Sequence, residues 1–278
     1  MTLKERFDAH ARDWGVTVEA VRTTETSQLG FGTRGDENVV LKVIRKEGGE
    51  EWRCGDVLEA FGGVGMIRPL VHVPGAVLLP RLSPGNDLAS HSLAGRDAEA
   101  TDVIASLLQR MFEKPADLAG IRSVDRLQPE FARFRREGEG VIPMNYVDRA
   151  GALFAEMCAT QRDVRLVHGD LHHYNILFDE DAGWVVIDPW GVRAEVEFEV
   201  GASLRNPTSP LLDDPRVLER RLRTFEARLH FNADRALKWA FATTVSGILW
   251  PIEAGVVLDL RSPFASAARS MLALLEGS

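Results

Sequence analysis

The sequence predicts an α+β chain of two lobes, a small β-rich lobe over residues 1–81 and a larger, mainly helical lobe over residues 82–278. Three observations predict it. The first eighty residues are dominated by short runs of β-branched and apolar residues bounded by turn signals. Helical periodicity takes over beyond residue 100, where apolar residues recur at i and i+4. A chain of 278 residues with 45% hydrophobic and 27% charged residues is also long and apolar enough to bury a sizeable core.

In the first lobe, Val16–Thr24, Ser27–Arg34 and Val39–Ile44 read as strands, with Arg34-Gly-Asp-Glu37 as a hairpin turn. One helix, Glu50–Phe61, interrupts them before Gly62-Gly63. Strands resume at Ile67–Val73 and Gly75–Leu79, and Leu82–Asp87, with its Pro-Gly-Asn, reads as a linker. In the second lobe Val103, Ile104, Leu107, Leu108, Met111 and Phe112 form one helical stripe. Leu153, Phe154, Met157 and Cys158 form another, and Val217, Leu218, Leu222, Phe225 and Leu229 a third. A compact β element sits between the helices: Arg165–His168, then Asn175–Phe178 and Trp184–Ile187 joined through a turn at 179–183.

Composition excludes several classes. A formal charge of −8 argues against a nucleic-acid partner, since a phosphate binder would need a basic groove hidden in an acidic molecule. It suits a cationic small molecule, and it equally suits solubility alone. Cys54 and Cys158 are too few for a disulfide scaffold or a Cys-rich zinc module and fit a reducing compartment. The N-terminal residues alternate charge with apolar groups and lack an apolar signal core, and no run of about 18 apolar residues occurs. No membrane partner and a cytoplasmic location are therefore expected; the oligomeric state is left open.

The densest polar cluster is His168-Gly-Asp-Leu-His-His-Tyr-Asn175, followed after a hairpin by Val186-Ile-Asp-Pro-Trp-Gly191. A loop at a strand end can bring the Asn175 amide oxygen together with the Asp188 carboxylate. Hard oxygen ligands of this kind suit Mg²⁺, which binds few protein groups and keeps positions for water and phosphate oxygens. Asp170 is left free to orient a hydroxyl and accept its proton. Two other readings stand beside this one: Asp170 as a turn or cap residue, and His168, Asp170, His172 and His173 as a zinc or manganese cluster of a metal hydrolase. Gly30-Phe-Gly-Thr-Arg-Gly35 matches G-x-G-x-x-G, but a turn and a strand follow it where a dinucleotide fingerprint needs a helix.

The segments His168-Gly-Asp-Leu-His, Asn175-Ile-Leu and Val186-Ile-Asp-Pro resemble the catalytic and metal segments of the aminoglycoside phosphotransferases, which share the protein-kinase-like bilobal fold. Ser203-Leu-Arg-Asn-Pro207 is similar to the branch containing streptomycin 6-kinases and hydroxyurea phosphotransferases. The resemblance implies ATP-dependent, Mg²⁺-assisted phosphoryl transfer to a hydroxyl of a small molecule, with Asp170 as catalytic base and Asn175 and Asp188 as metal ligands. It implies Lys42, in Val39-Val-Leu-Lys-Val43, as the strand lysine that holds phosphates. The helix glutamate expected to hold that lysine is replaced by Cys54, and Glu51 or Glu50 is positioned to substitute, Glu51 being preferred.

The resemblance places the adenine hinge at Pro80-Arg-Leu82, where Pro80 would offer its carbonyl and Leu82 its N–H. It places the phosphate-covering turn at Thr24-Glu-Thr-Ser27, making Ser27 a candidate phosphate contact. For the acceptor it points to Trp190, which stands where relatives carry lysine, and to Trp239–Glu253, with Trp250 and Glu253 as candidates. Trp239 and Phe241 also read as core. Glu195, Glu197 and Glu199 read as an acidic patch that attracts cations or simply faces solvent. A kinase for hydroxyurea or another small metabolite, and a nucleotide-binding pseudokinase suggested by Cys54, are the competing functions.

Overall fold

The computed structural model describes residues 1–113, 116–129, 131–132, 143–253 and 263–277, with side chains described for all of these except residues 50, 249–253 and 263. The N-terminal part is an antiparallel sheet built from β1 (Thr17–Thr23), β2 (Ser27–Arg34), β3 (Glu37–Ile44), β4 (Val71–Val73) and β5 (Ala76–Pro80), in the order β1-β2-β3-β5-β4. β3 is the central strand: Val39, Leu41 and Val43 are buried on one face and Lys42 on the other.

A helix precedes the sheet that the sequence reading did not foresee, α1 (Leu3–Asp13). It starts in a capping box: Thr2 Oγ1 accepts from Glu5 N–H at 3.2 Å and Glu5 Oε2 accepts from Thr2 N–H at 2.7 Å. Its apolar residues Leu3, Phe7, Ala11 and Trp14 are spaced by four, four and three, so the helical stripe was present within the charge alternation. Phe7 is buried with Val39, Leu41, Val43, Ala76 and Leu78, so the helix covers one face of the sheet.

The glycines of the G-x-G-x-x-G match are architectural. A Cβ on Gly30 would lie 2.5 Å from Phe7 Cζ, and one on Gly32 would lie 1.9 Å from the Thr17 carbonyl oxygen. Gly35 turns the β2–β3 hairpin at φ 60°.

The expected helix over 50–61 is a 3₁₀ turn, Glu50–Arg53, leading into α2 (Cys54–Phe61), which ends on left-handed Gly62. The expected strand Ile67–Val73 is split. Only Val71–Val73 joins the sheet, because Ile67 N–H donates to Val186 O at 2.8 Å and Val186 N–H to Gly65 O at 3.1 Å, tying residues 65–67 to the C-terminal part.

The segment read as a linker is likewise structured: β6 (Pro84–Asp87) pairs with β8 (Ile176–Asp179), which pairs with β9 (Gly183–Val186). Ser83 N–H donates to Asp179 Oδ2 and Glu180 N–H to Ser83 O, pairings with residues ninety-odd positions away that a Pro-Gly composition does not advertise. A second two-stranded element pairs β7 (Arg165–Val167) with β10 (Val192–Ala194).

The helices that hold these strands are α3 (Leu88–His91), α4 (Asp97–Glu113), α5 (Met144–Ala159), α6 (Val196–Glu199), α7 (Gly201–Leu204), α8 (Pro215–Leu229), α9 (Ala233–Glu253) and α10 (Pro263–Gly277). The stripes read from sequence are their core faces: Ile104, Leu108 and Met111 on α4, Phe154 and Met157 on α5, Leu218 and Phe225 on α8 are buried together. Phe154 and Phe198 both meet the Trp239 ring edge-on at 5.3 Å, which seats α9 against α5 and α6. One buried ion pair locks α4 to α8. Asp97 accepts from Arg221 Nη2 at 2.6 Å, and Arg221 Nη1 donates to the carbonyls of Ser203 and Asn206, fixing the loop after α7.

Candidate active site

The polar cluster lies on the loop between β7 and β8, and Asp188 follows β9, so two adjacent strand ends present the chemistry. His168 is fully buried and joins the halves: Nε2–H donates to Ile187 O at 2.9 Å and Nδ1 accepts from Asp170 N–H at 3.1 Å. Burial pushes its pKa down to about 4, so it stays neutral and its two nitrogens keep these opposite roles. Asn175 Nδ2 donates to the Asp170 carbonyl at 3.0 Å, leaving its amide oxygen as the available hard donor. Asp188 adopts a left-handed backbone, φ 61°, a conformation that costs a non-glycine residue of order 1–3 kcal/mol and is characteristic of functional loops.

Lys42, buried on β3, donates to Glu51 Oε2 at 2.5 Å and to Asp188 Oδ1. Burial opposes its charge, yet the carboxylates of Asp188 and Glu51 outweigh that penalty and raise its pKa. Glu51 therefore reaches the lysine from the 3₁₀ turn in front of α2, while Cys54 is buried and its thiol pKa is pushed up by burial to about 12. The observation that suggested a pseudokinase, a lysine without a glutamate, is thus met by a neighbouring residue.

Glu51, Asp170, Asn175 and Asp188 line one cavity of about 490 Å³. Thr26, His172, Trp190, Arg205, Thr243 and Ser246 also line it. Asp170, 42% exposed at its side chain, receives Arg205 Nη2 on Oδ1 at 3.2 Å and lies 3.4 Å from His172 Nε2 through Oδ2. Burial favours the protonated acid, but His172 and Arg205 prevail and hold Asp170 well below the usual carboxylate range. Arg205 is the site residue that sequence reading did not single out. Its signal was present in Ser203-Leu-Arg-Asn-Pro207, where it sits directly after α7.

Several expectations are corrected. Ser27 is buried and its hydroxyl is engaged with Thr24 Oγ1 at 2.9 Å, so Thr26, one position earlier, is the turn residue that faces the cavity. Glu195 and Glu199 form no surface patch: both are buried. Glu195 accepts from Arg235 Nε at 2.5 Å and from the indole N–H of Trp239, and Glu199 accepts from Gly169 N–H at 3.0 Å, at the start of the β7–β8 loop. The metal-hydrolase cluster fails, since His168 has both nitrogens committed and His173 is buried at the start of a 3₁₀ turn. Among the described residues no group of three or more His, Cys, Asp or Glu could hold a metal.

Trp239 and Phe241 are core, as one of their two readings had it. Trp190 lines the cavity, packed on Gly169, with the Arg126 guanidinium 5.1 Å over its ring. Trp250 and Glu253 fall in the last turn of α9 and their side chains lie outside the described residues. Pro80 closes β5 opposite Val39, Arg81 N–H donates to Asn38 O, and Leu82 carries the first amide beyond that ladder.

The family model described as aminoglycoside/hydroxyurea antibiotic resistance kinase matches residues 15–255. This chain belongs to that family. It is 31% identical to the streptomycin 3''-kinase of Klebsiella pneumoniae over 90% of its own length and 93% of the relative's. It is 29% identical to a streptomycin 6-kinase of Streptomyces griseus over 91% and 87%. Among solved structures it is similar to a choline kinase from Streptococcus pneumoniae, with a TM-score of 0.68 over 99% of each chain at 14% identity, which shows the fold. The protein is accordingly a phosphotransferase with an alcohol group as acceptor, built on the protein-kinase-like fold. Among its described residues no helix is long and apolar enough to cross a membrane.

Proposed function

We propose that the protein transfers the γ-phosphoryl group of Mg·ATP to a hydroxyl of a streptomycin-type aminoglycoside in the cytoplasm. The observation that carries this reading is one cavity lined by Asp170, Asn175 and Asp188 together with Trp190, Thr243 and Ser246. Its volume of about 490 Å³, shared in this reading between the nucleotide's phosphates and the acceptor, lies in the range of small-molecule sites. The two streptomycin kinases match along nearly the whole chain and support the same substrate class.

The division at 81/82 would separate a nucleotide-holding part from an acceptor-holding part. In this reading Pro80 O and Leu82 N–H hold adenine, and Lys42, kept in place by Glu51, together with the turn at Thr26, holds phosphates. Asp188 and Asn175 fit Mg²⁺: one carboxylate and one amide oxygen, both hard donors, with room for phosphate and water to complete the shell. The ion, when bound, supplies neutralisation of phosphate charge. Asp170 orients the acceptor hydroxyl and accepts its proton as the new O–P bond forms. A carboxylate held in its charged form by His172 and Arg205 is a weak base, which suits a loose transition state in which positioning dominates and the proton leaves late.

Release of ADP, measured with Mg·ATP across streptomycin, other aminoglycosides, hydroxyurea and simple sugars, tests the reading, with mass analysis of the product and Asp170→Ala as control. Streptomycin-dependent release that falls at least about 10²-fold in the variant is expected. Release driven by hydroxyurea and not by any aminoglycoside would overturn the substrate class.

A further inference from the structure

In a cavity meant for a polycationic ligand, a bare catalytic carboxylate is the strongest attractor for an amine or guanidine, and a cation seated there displaces the hydroxyl that must react. The carboxylates of this cavity are countered from within. Glu51 and Asp188 are bound by Lys42, and Asp170 receives Arg205 on one oxygen and faces His172 with the other. The Trp190 ring, a further cation attractor, has Arg126 over it.

Arg205 is built into its position. Its side chain is only 15% exposed, Nη2 lies 3.2 Å from Asp170 Oδ1, and Nη1 lies 3.3 Å from Thr243 Oγ1 on α9. Thr243 Oγ1 in turn donates to Trp239 O at 2.8 Å, so its lone pairs face the guanidinium. The loop carrying Arg205 is pinned by Arg221 through the Ser203 and Asn206 carbonyls. A guanidinium does not deprotonate in the physiological range, so the site stays filled.

We propose that Arg205 is a positioning and specificity residue that occupies the cation site beside Asp170, so that a cationic acceptor meets the carboxylate through a hydroxyl and not through its amines or guanidines. The inference about acceptor orientation rests on the proposed streptomycin-type substrate; the occupied cation site does not.

Methylguanidinium is the probe for the site itself, followed by calorimetry on the full chain with ADP binding as the check of fold. It is expected to bind Arg205→Ala, and neither the wild type nor Arg205→Ala/Asp170→Asn. Should Arg205→Ala not bind ADP, Arg205→Gln, which keeps the aliphatic stem and a polar end without the charge, takes its place in both proteins. Absence of methylguanidinium binding in the folded variant overturns the proposal, as does binding that survives Asp170→Asn.

Turnover supplies the second readout. In Arg205→Gln the KM for streptomycin and kcat are expected to fall together, each by about threefold or more, the pattern produced when cations bind at the carboxylate unproductively. A merely structural role predicts a KM that rises, and that result overturns the proposal. If the wild type does not turn over streptomycin, the proposed substrate falls, while the methylguanidinium measurement still decides the role of Arg205.

Discussion

Removing the charge of Glu51 tests how this site holds its lysine. Lys42 is 6% exposed at its side chain and divides its ammonium between Glu51 at 2.5 Å and Asp188. Coulomb's law at that separation with an effective dielectric constant of 20 gives about 7 kcal/mol, an upper bound because desolvation opposes it. In Glu51→Gln the ammonium is not stranded, since Asp188 remains, so the cost lies below the ~3–5 kcal/mol of an orphaned buried charge and near the ~2 kcal/mol of a charged hydrogen bond. The lysine also swings wholly onto the carboxylate proposed to bind Mg²⁺. We therefore expect kcat/KM for ATP to fall about 30-fold, with a raised Mg²⁺ requirement, at saturating acceptor. A double-mutant cycle with Lys42→Met isolates the coupling, and Cys54→Ala is the control: it alters the core and leaves kcat/KM for ATP within about twofold. A Glu51→Gln enzyme within about threefold of the wild type, or strictly additive mutations, would refute the assignment of Glu51 as the lysine's partner.

Three further predictions rest on the fold around the site. Glu199, whose pKa burial raises to about 8, binds a proton in the native state that the unfolded chain releases near 4.5, so its contribution is present below pH 4.5 and lost as pH rises through 8. Between pH 6 and 8 that loss is about 2 kcal/mol, and thermal unfolding should show a decline over this window in the wild type that Glu199→Gln lacks. His168 works in the opposite sense, its contribution being lost as pH falls from 6.5 through about 4, so both proteins should share the acid-side decline. Asp97→Asn leaves Arg221 buried without its carboxylate and should cost about 3–5 kcal/mol in urea unfolding, loosening the loop that carries Arg205 and raising acceptor KM. Gly32→Ala drives a Cβ into the Thr17 carbonyl and should abolish accumulation of folded protein, whereas Gly35→Ala meets open space and should cost only the ~1 kcal/mol of a left-handed alanine. Equal effects at the two positions would contradict the architectural role of Gly32.

Local chemistry was legible before the fold was known. The apolar and β-branched runs over Ser27–Arg34 and Val39–Ile44, the stripes of α4, α5 and α8, and the short path from Asp170 through Asn175 to Asp188 all reflect local composition, backbone periods and loop lengths, which a sequence carries directly. His168 anchors the loop through partners, Asp170 and Ile187, that lie within one β-hairpin of it, and its neutral state follows from its burial in the fold. The stripe of α1 was equally local and was masked only by the charges between its apolar positions.

Tertiary structure decided whatever depends on contacts between residues far apart in the chain. Glu51 reaches Lys42 where Cys54 does not because the 3₁₀ turn before α2 sets a phase that sequence spacing leaves open. Residues 84–87 become a strand because Asp179 and Leu177 stand opposite them. Glu195 and Glu199, indistinguishable from a solvated patch in sequence, are buried because Trp239, Arg235 and the Gly169 amide arrive from elsewhere to receive them. Arg205 meets Asp170 across 35 positions, and only the fold, in which Thr243 of α9 receives the guanidinium's other nitrogen, brings them together. A carboxylate or guanidinium acquires its role from the partners and dielectric around it, and those are properties of the folded chain.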